Sequence, residues 1–177
     1  MSNTKLQVFA DESKKRGFLL AAAVLEHGEL SRLRSAVNDL RLPGQRRLHF
    51  AKESDRRRKS IIQTFVDAKI QVMLYDATAF RDDKLGRDAA IARLADDAAA
   101  MGATRLVLEL DDSVLMSDRL IINERLAKAD CYDLRYVHQR AYEECLLAIP
   151  DAVAWSWARG GHWRKTATQL VTRVTTL

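Results

Sequence analysis

The sequence predicts an α/β domain built on a five-stranded mixed sheet flanked by helices, with a two-helix insertion between strands two and three. Three observations predict it. Two β-prone apolar runs, 5–10 and 18–26, are separated only by a short turn, so they should pair as a hairpin. From residue 69 onward, strand and helix patterns alternate, as crossover units do. No Gly-rich phosphate loop follows the first strand, which runs instead into Asp11-Glu12-Ser13 and so argues against a dinucleotide-binding sheet.

The elements follow in order. Lys5 to Ala10 alternates apolar and polar residues, Lys14 to Gly17 reads as a turn, and Phe18 to Glu26 is a second strand. Glu29 to Leu40 places Leu30, Leu33, Val37 and Leu40 at helical spacing and stops before the breaker Leu42-Pro43-Gly44. Ser54 can cap a second helix running to Ala68, whose apolar face is Ile61, Ile62, Phe65 and Val66. These two helices make up an insertion over about residues 28–68. Residues 69–76 alternate as a third strand, and 82–101 form an Ala-rich helix closed by Gly102. Arg105 to Leu110 is nearly continuously apolar, as a buried central strand should be. A helix from Ser117 to Lys128, a strand from Leu134 to His138 and a helix from Cys145 to Ala158 complete the pattern. Residues 163–177 fit a short helix or an edge strand equally well. Without the insertion the order is β-β-β-α-β-α-β-α, which is the ribonuclease H topology, in one domain over 1–177.

Composition sets broad limits. The 177 residues are 47% hydrophobic and 30% charged, values of a globular protein with a real core. The longest apolar run, Phe18 to Leu25, is too short to span a bilayer, and the start of the chain has no signal-peptide pattern. Cys131 and Cys145 lack metal or redox spacing and read as reduced thiols, so the expected location is cytoplasmic. The net charge of +5 suits an anionic partner, and the base is clustered at Lys14–Arg16, Arg46-Arg47, Arg56–Lys59 and Arg159–Lys165. Whether the chain forms a homo-oligomer is left open.

The chemistry should lie where distant acids meet. Asp11 ends strand one, Glu109 and Asp111 share a face at the end of strand four, and Asp151 opens the last helix. In this topology strands one and four are parallel neighbours with the last helix packed beside them, so three carboxylates converge. Like charges so crowded raise one another's pKa unless a cation neutralises them. Hard oxygen donors select Mg²⁺ or Mn²⁺ rather than zinc. Two such ions about 4 Å apart serve phosphodiester hydrolysis.

The stretch Phe9-Ala10-Asp11-Glu12-Ser13 with its following strand resembles the opening of the domain-of-unknown-function family 3800, whose members are regarded as ribonuclease H-like. Leu48-His49-Phe50, Leu106-Val107-Leu108-Glu109 and Leu146 to Trp155 continue the resemblance through nearly the whole chain. It implies Asp11 and Glu12 as first-strand metal ligands and Asp151 as the last-helix ligand. Glu109 is preferred in strand four, with Asp111 and Asp112 fitting a strand-end carboxylate equally well, and Asp112 is carried as an outer ligand.

His49 is a candidate for proton transfer beside the metals. Arg56, Arg57, Arg58, Trp163, Arg164 and Lys165 are candidates for nucleic-acid contact, the arginines because a basic run at a helix start opposes the helix dipole. Trp155 reads as core, and His138 as sheet-edge polarity. The expected function is a divalent-metal-dependent nuclease or phosphoryl-transfer enzyme acting on RNA or DNA. The alternative is a non-catalytic ribonuclease H-like module that binds nucleic acid or protein.

Overall fold

The computed structural model describes residues 4–177. Strand β1 (Leu6–Ser13) pairs antiparallel with β2 (Phe18–Glu26), which pairs antiparallel with β3 (Gln71–Ala77). The turn between β1 and β2 depends on Gly17, whose φ of 85° suits glycine and where an added Cβ would stand 2.9 Å from the Thr78 backbone. Helices α1 (Leu30–Asp39) and α2 (Asp55–Asp67) fill the predicted insertion, and the Ser54 hydroxyl accepts from the Arg57 amide as the expected cap. After β3, helix α3 (Asp83–Ala100) leads to β4 (Arg105–Glu109), and α4 (Leu115–Lys128) leads to β5 (Arg135–Gln139). β4 lies parallel to both β1 and β5. The last predicted helix divides into a 3₁₀ turn (Cys145–Leu147) and α5 (Ala148–Arg159).

The sheet has six strands rather than five, in the order β5-β4-β1-β2-β3-β6. The undecided C-terminal stretch is both alternatives in succession: helix α6 (Gly161–Ala167) and then β6 (Val171–Thr176), which adds parallel to β3. An edge strand exposes one side, so β6 carries Thr172, Arg173 and Thr175 where a buried strand would carry apolar residues, and its periodicity is weak.

The sheet separates two cores. On one face Phe9, Ala21, Ala23, Leu74 and Val107 meet α1, α2 and α5. On the other, Ala10, Leu20, Ala22, Leu106 and Leu108 meet α3 and α4 through Ile91, Leu94, Ile122 and Leu126. Each fully buried Leu, Ile or Phe contributes about 1.5–3 kcal/mol of hydrophobic stabilisation. Helix α5 lies close on β1 and β2 because Ala148, Ala152, Ala154 and Ala158 keep that face shallow. This close approach carries Asp151 to the end of β1. Among the described residues, no helix is long and apolar enough to cross a membrane.

Candidate functional site

Parallel pairing brings Ala10 beside Leu108, so Asp11 and Glu109 follow as neighbours at the carboxyl ends of β1 and β4. Asp151, in the first turn of α5, faces them. The three acids share a cavity of about 290 Å³ with Glu12, Lys14, Arg47 and His49. Asp11 is 6% exposed, so almost no water solvates its carboxylate.

The electrostatics follow. Burial raises the Asp11 pKa well above the usual carboxylate range, and the hydrogen bond to Glu109 and the charges of Asp151 and Glu109 raise it further. Burial likewise lifts Asp151, to about 6; the Phe50 amide, donating at 3.1 Å, and Arg47 oppose that rise, and the Glu109 charge adds to it. Arg47 reaches Glu109 at 3.2 Å, and the Glu12 amide donates to Asp11 at 2.7 Å. The cavity holds more negative charge than its own cations neutralise.

His49 lines the same cavity. Burial lowers its pKa, with Arg47 and Lys52 lowering it further, which favours the uncharged ring. Its Nδ1 is buried with no hydrogen-bond partner among the described residues. Sequence placed His49 only in a loop; the Phe50 amide bond to Asp151 is what fastens that loop over the acids.

The other predicted residues divide. Glu12 turns out of the cluster to pair with Lys14 at 2.7 Å and with Arg87. Asp111 is tied by Ser113 and Lys14, which lower its pKa. Asp112 is exposed and paired with Arg140 at 2.8 Å. Asp111 and Asp112 line a neighbouring cavity of about 430 Å³, whose wall also includes Asp11, Glu12, Glu109 and Arg87. The cleft therefore has two lobes that meet at Asp11, Glu12 and Glu109.

The arginines that open α2 have interior partners. Arg57 pairs with Glu53 and donates to the Leu40 carbonyl at 2.6 Å. Arg58 donates to the Phe50 and Ala51 carbonyls at 3.0 and 2.7 Å and stacks 4.3 Å from the centre of the Trp155 ring. Their position against the helix dipole is thus explained by bracing the His49 loop, and only Arg56 of the three is exposed. Trp155 is core, as expected, and Trp163 packs edge-on against it and Phe50 with part of its surface open. Arg164 stacks on Trp157, and Lys165 is exposed.

Sequence reading missed a second polar group. Arg87 on α3, 4% exposed, bonds Asp118 on α4 at 2.8 and 3.1 Å, and Asp118 also bonds His138 of β5 at 3.1 Å. An arginine in an otherwise Ala- and Leu-lined helix face was its only sequence signal. His138 stands on the edge strand β5, but its side chain is buried against α4.

Among the described residues, no three acidic, His or Cys side chains are already arranged as a coordination shell. The donor set nevertheless suits a hard divalent cation: four carboxylates line one cavity, Asp11, Glu109 and Asp151 converging in it, with no thiol and excess negative charge.

No protein-family model and no curated protein matches the sequence. Among solved structures, the chain is similar to one in the PCNA:RNase HII complex from Archaeoglobus fulgidus, with a TM-score of 0.55 and 11% identity, over 88% of this chain and 73% of that one. The fold is ribonuclease H-like.

Proposed function

We propose that the chain is a divalent-metal-dependent nuclease or phosphoryl-transfer enzyme acting on nucleic acid. The observation that carries this reading is the meeting of Asp11, Glu109 and Asp151, from β1, β4 and α5, in one cavity where burial first, and then the neighbouring acidic charge, raises the pKa of Asp11 and Asp151. Uncompensated like charge is costly to a fold, and a bound cation relieves it. The ribonuclease H-like fold supports nucleic acid as the substrate class.

Asp11, Glu109 and Asp151 would hold Mg²⁺ or Mn²⁺, with Glu12 as a further ligand once released from Arg87, and Asp112 outside them. Bound divalent ions would supply activation of water and neutralisation of charge at phosphorus. Neutral His49 would accept or return a proton at its free Nδ1. Lys14 and Arg47 on the wall, with Arg56, Arg164 and Lys165 outside, would hold backbone phosphates, and the exposed part of the Trp163 ring would stack on a base. Membership of the domain-of-unknown-function family 3800 belongs to this proposal as well. All four of its resembling stretches, 9–13, 48–50, 106–109 and 146–155, meet at the one cavity.

The alternative, a non-catalytic binding module, draws on the Arg47–Glu109 ion pair, which already neutralises one of the three acids. Cleavage of labelled RNA, DNA and hybrid duplexes with and without Mn²⁺ separates the two. The expected result is Mn²⁺-stimulated cleavage that Asp11→Asn abolishes while the melting transition is retained. Metal binding with no cleavage of any substrate would withdraw the nuclease reading.

A further inference from the structure

We infer that the basic pocket at the amino ends of β4 and β5 is a phosphate-binding site, one of two points on the track of a nucleic-acid backbone whose other point is the acidic cavity at the opposite end of the strands. The inference rests on the nucleic-acid reading above and names where the substrate runs.

Strand register places the residues. Side chains two apart along a strand share a face. Gln7, Arg105 and Arg135 therefore form one row across β1, β4 and β5, and Phe9, Val107 and Val137 form the next. Glu109 and Gln139 stand in the third row, at the level where Asp11 ends β1. At about 3.3 Å per residue, the arginine row lies about 13 Å from the acids on the same face. That distance is about four base-pair steps of duplex at about 3.4 Å each.

Helix α5 covers β1 and β2 on this face, and Val107 of β4 is buried in the same core, so open space begins beyond it, at the amino ends of β4 and β5. The space is a cavity of about 450 Å³ lined by Lys5, Gln7, His27, Thr104, Arg105, Arg135 and Val137, with no acid in its wall. Among the described residues, Lys5, Arg105 and Arg135 have no ion-pair partner, unlike Arg34, Arg47, Arg57, Arg87 and Arg125. Like charges opposite one another on adjacent strands oppose folding, so Arg105 beside Arg135 is unfavourable without an anion between them. Arg105 also extends along the face, its Nη2 3.5 Å from Gln139 Oε1 in the acids' own row. Gln7 is 7% exposed, bonds His27 through one end of its amide at 3.0 Å, and leaves the other end buried without a partner among the described residues. Cations without acids, in a pocket at the other end of the strands that carry the acidic cavity, complement a polyanion backbone.

The test measures binding of fluorescent 24-base-pair DNA, RNA and hybrid duplexes in EDTA, by anisotropy across 50–200 mM salt. Arg105→Gln/Arg135→Gln is compared with Arg119→Gln, which removes an exposed charge from α4 on the other face. The double variant should bind about tenfold more weakly at 100 mM salt, with a salt slope reduced by about one to two units, whereas Arg119→Gln should change neither. Lys5→Gln/Arg135→Gln, at exposed positions, serves should Arg105→Gln melt early. Tight wild-type binding with an unchanged slope in both double variants overturns the track and leaves the nuclease reading intact. Absence of wild-type binding at 50 mM salt overturns both. An equal loss in Arg119→Gln overturns the track in favour of diffuse charge.

Discussion

Two clusters of buried charge lie on opposite faces of the same sheet and obey opposite rules. Around Asp118, charges alternate in sign. Burial alone would raise its pKa, but the hydrogen bonds from His138 and Arg87 prevail and hold it below the usual carboxylate range. Around Asp11 and Asp151, charges share a sign, and burial acts together with repulsion to raise both. The first cluster is complete in the protein alone. The second holds more acid than its own cations, Arg47 and Lys14, neutralise. Burial by itself therefore does not distinguish a structural polar group from a site; the balance of sign among its neighbours does.

The comparison is broken most directly at Arg87. Arg87→Met leaves Asp118 fully buried, with only His138 beside it. Removing one partner from a buried pair costs about 3–5 kcal/mol. In a chain of this size the melting temperature should fall by about 10 °C. Arg87→Met/Asp118→Leu should recover part of that loss, because apolar residues of similar volume replace buried pairs at little cost, while His138 and Glu12 lose a partner. A loss below about 1 kcal/mol in the single variant would show that Asp118 is not held by Arg87, and the contrast would collapse.

The acidic cavity should respond with the opposite sign. The folded-state pKa of Asp151 is raised, so its carboxylate opposes folding increasingly as pH rises from the ordinary value near 4 through about 6, and by a constant amount above that. Asp151→Asn removes the charge and retains an oxygen to accept from the Phe50 amide. At pH 7.5 without metal it should stabilise the protein by up to about 3 kcal/mol, and at pH 4 by little. Millimolar Mn²⁺ should raise the wild-type melting temperature at pH 7.5, more than at pH 5, and should not raise that of the variant. Differential scanning calorimetry across pH 4–8 reads all three. Destabilisation of Asp151→Asn at every pH would mean that the carboxylate serves the helix start and not a metal.

The two clusters also differ in how far the sequence discloses them. Asp11, Glu109 and Asp151 each lie at an element boundary that periodicity locates, and the β-β-β-α-β-α-β-α order brings those boundaries together. Arg87, Asp118 and His138 lie within elements, where their meeting depends on the rotation of α3 and α4 about their own axes, which no pattern in one sequence records. The arginines of α2 show a different gap. Arg56, Arg57 and Arg58 read alike as a basic run, but a helix turns 100° per residue and gives each a different neighbour, so two face the His49 loop and one faces solvent. Strand β6 was undecided because an exposed edge needs no apolar alternation.

The smallest effect sharpens the comparison at its one shared feature, a cation beside the acids. Arg47 contacts Glu109 at 3.2 Å with each side chain about one-third exposed, so the pair itself is worth at most about 1 kcal/mol. Its charge nevertheless lowers the pKa of both Asp11 and Asp151. Arg47→Gln should therefore change the melting temperature by no more than about 2–4 °C, while letting the acids keep their protons to higher pH. Protons compete with a divalent ion for the same oxygens, so the pH at which Mn²⁺ gives half of its stabilising effect should move upward. At pH 8, once the acids are ionised, the effect of Mn²⁺ should be at least as large as in the wild type, because one competing cation is gone. If Arg47 instead completes the cluster as Arg87 completes Asp118, Arg47→Gln should destabilise by several kcal/mol and Mn²⁺ should have no effect on the wild type at any pH. That outcome would make the two faces of the sheet alike and leave the acids a structural role.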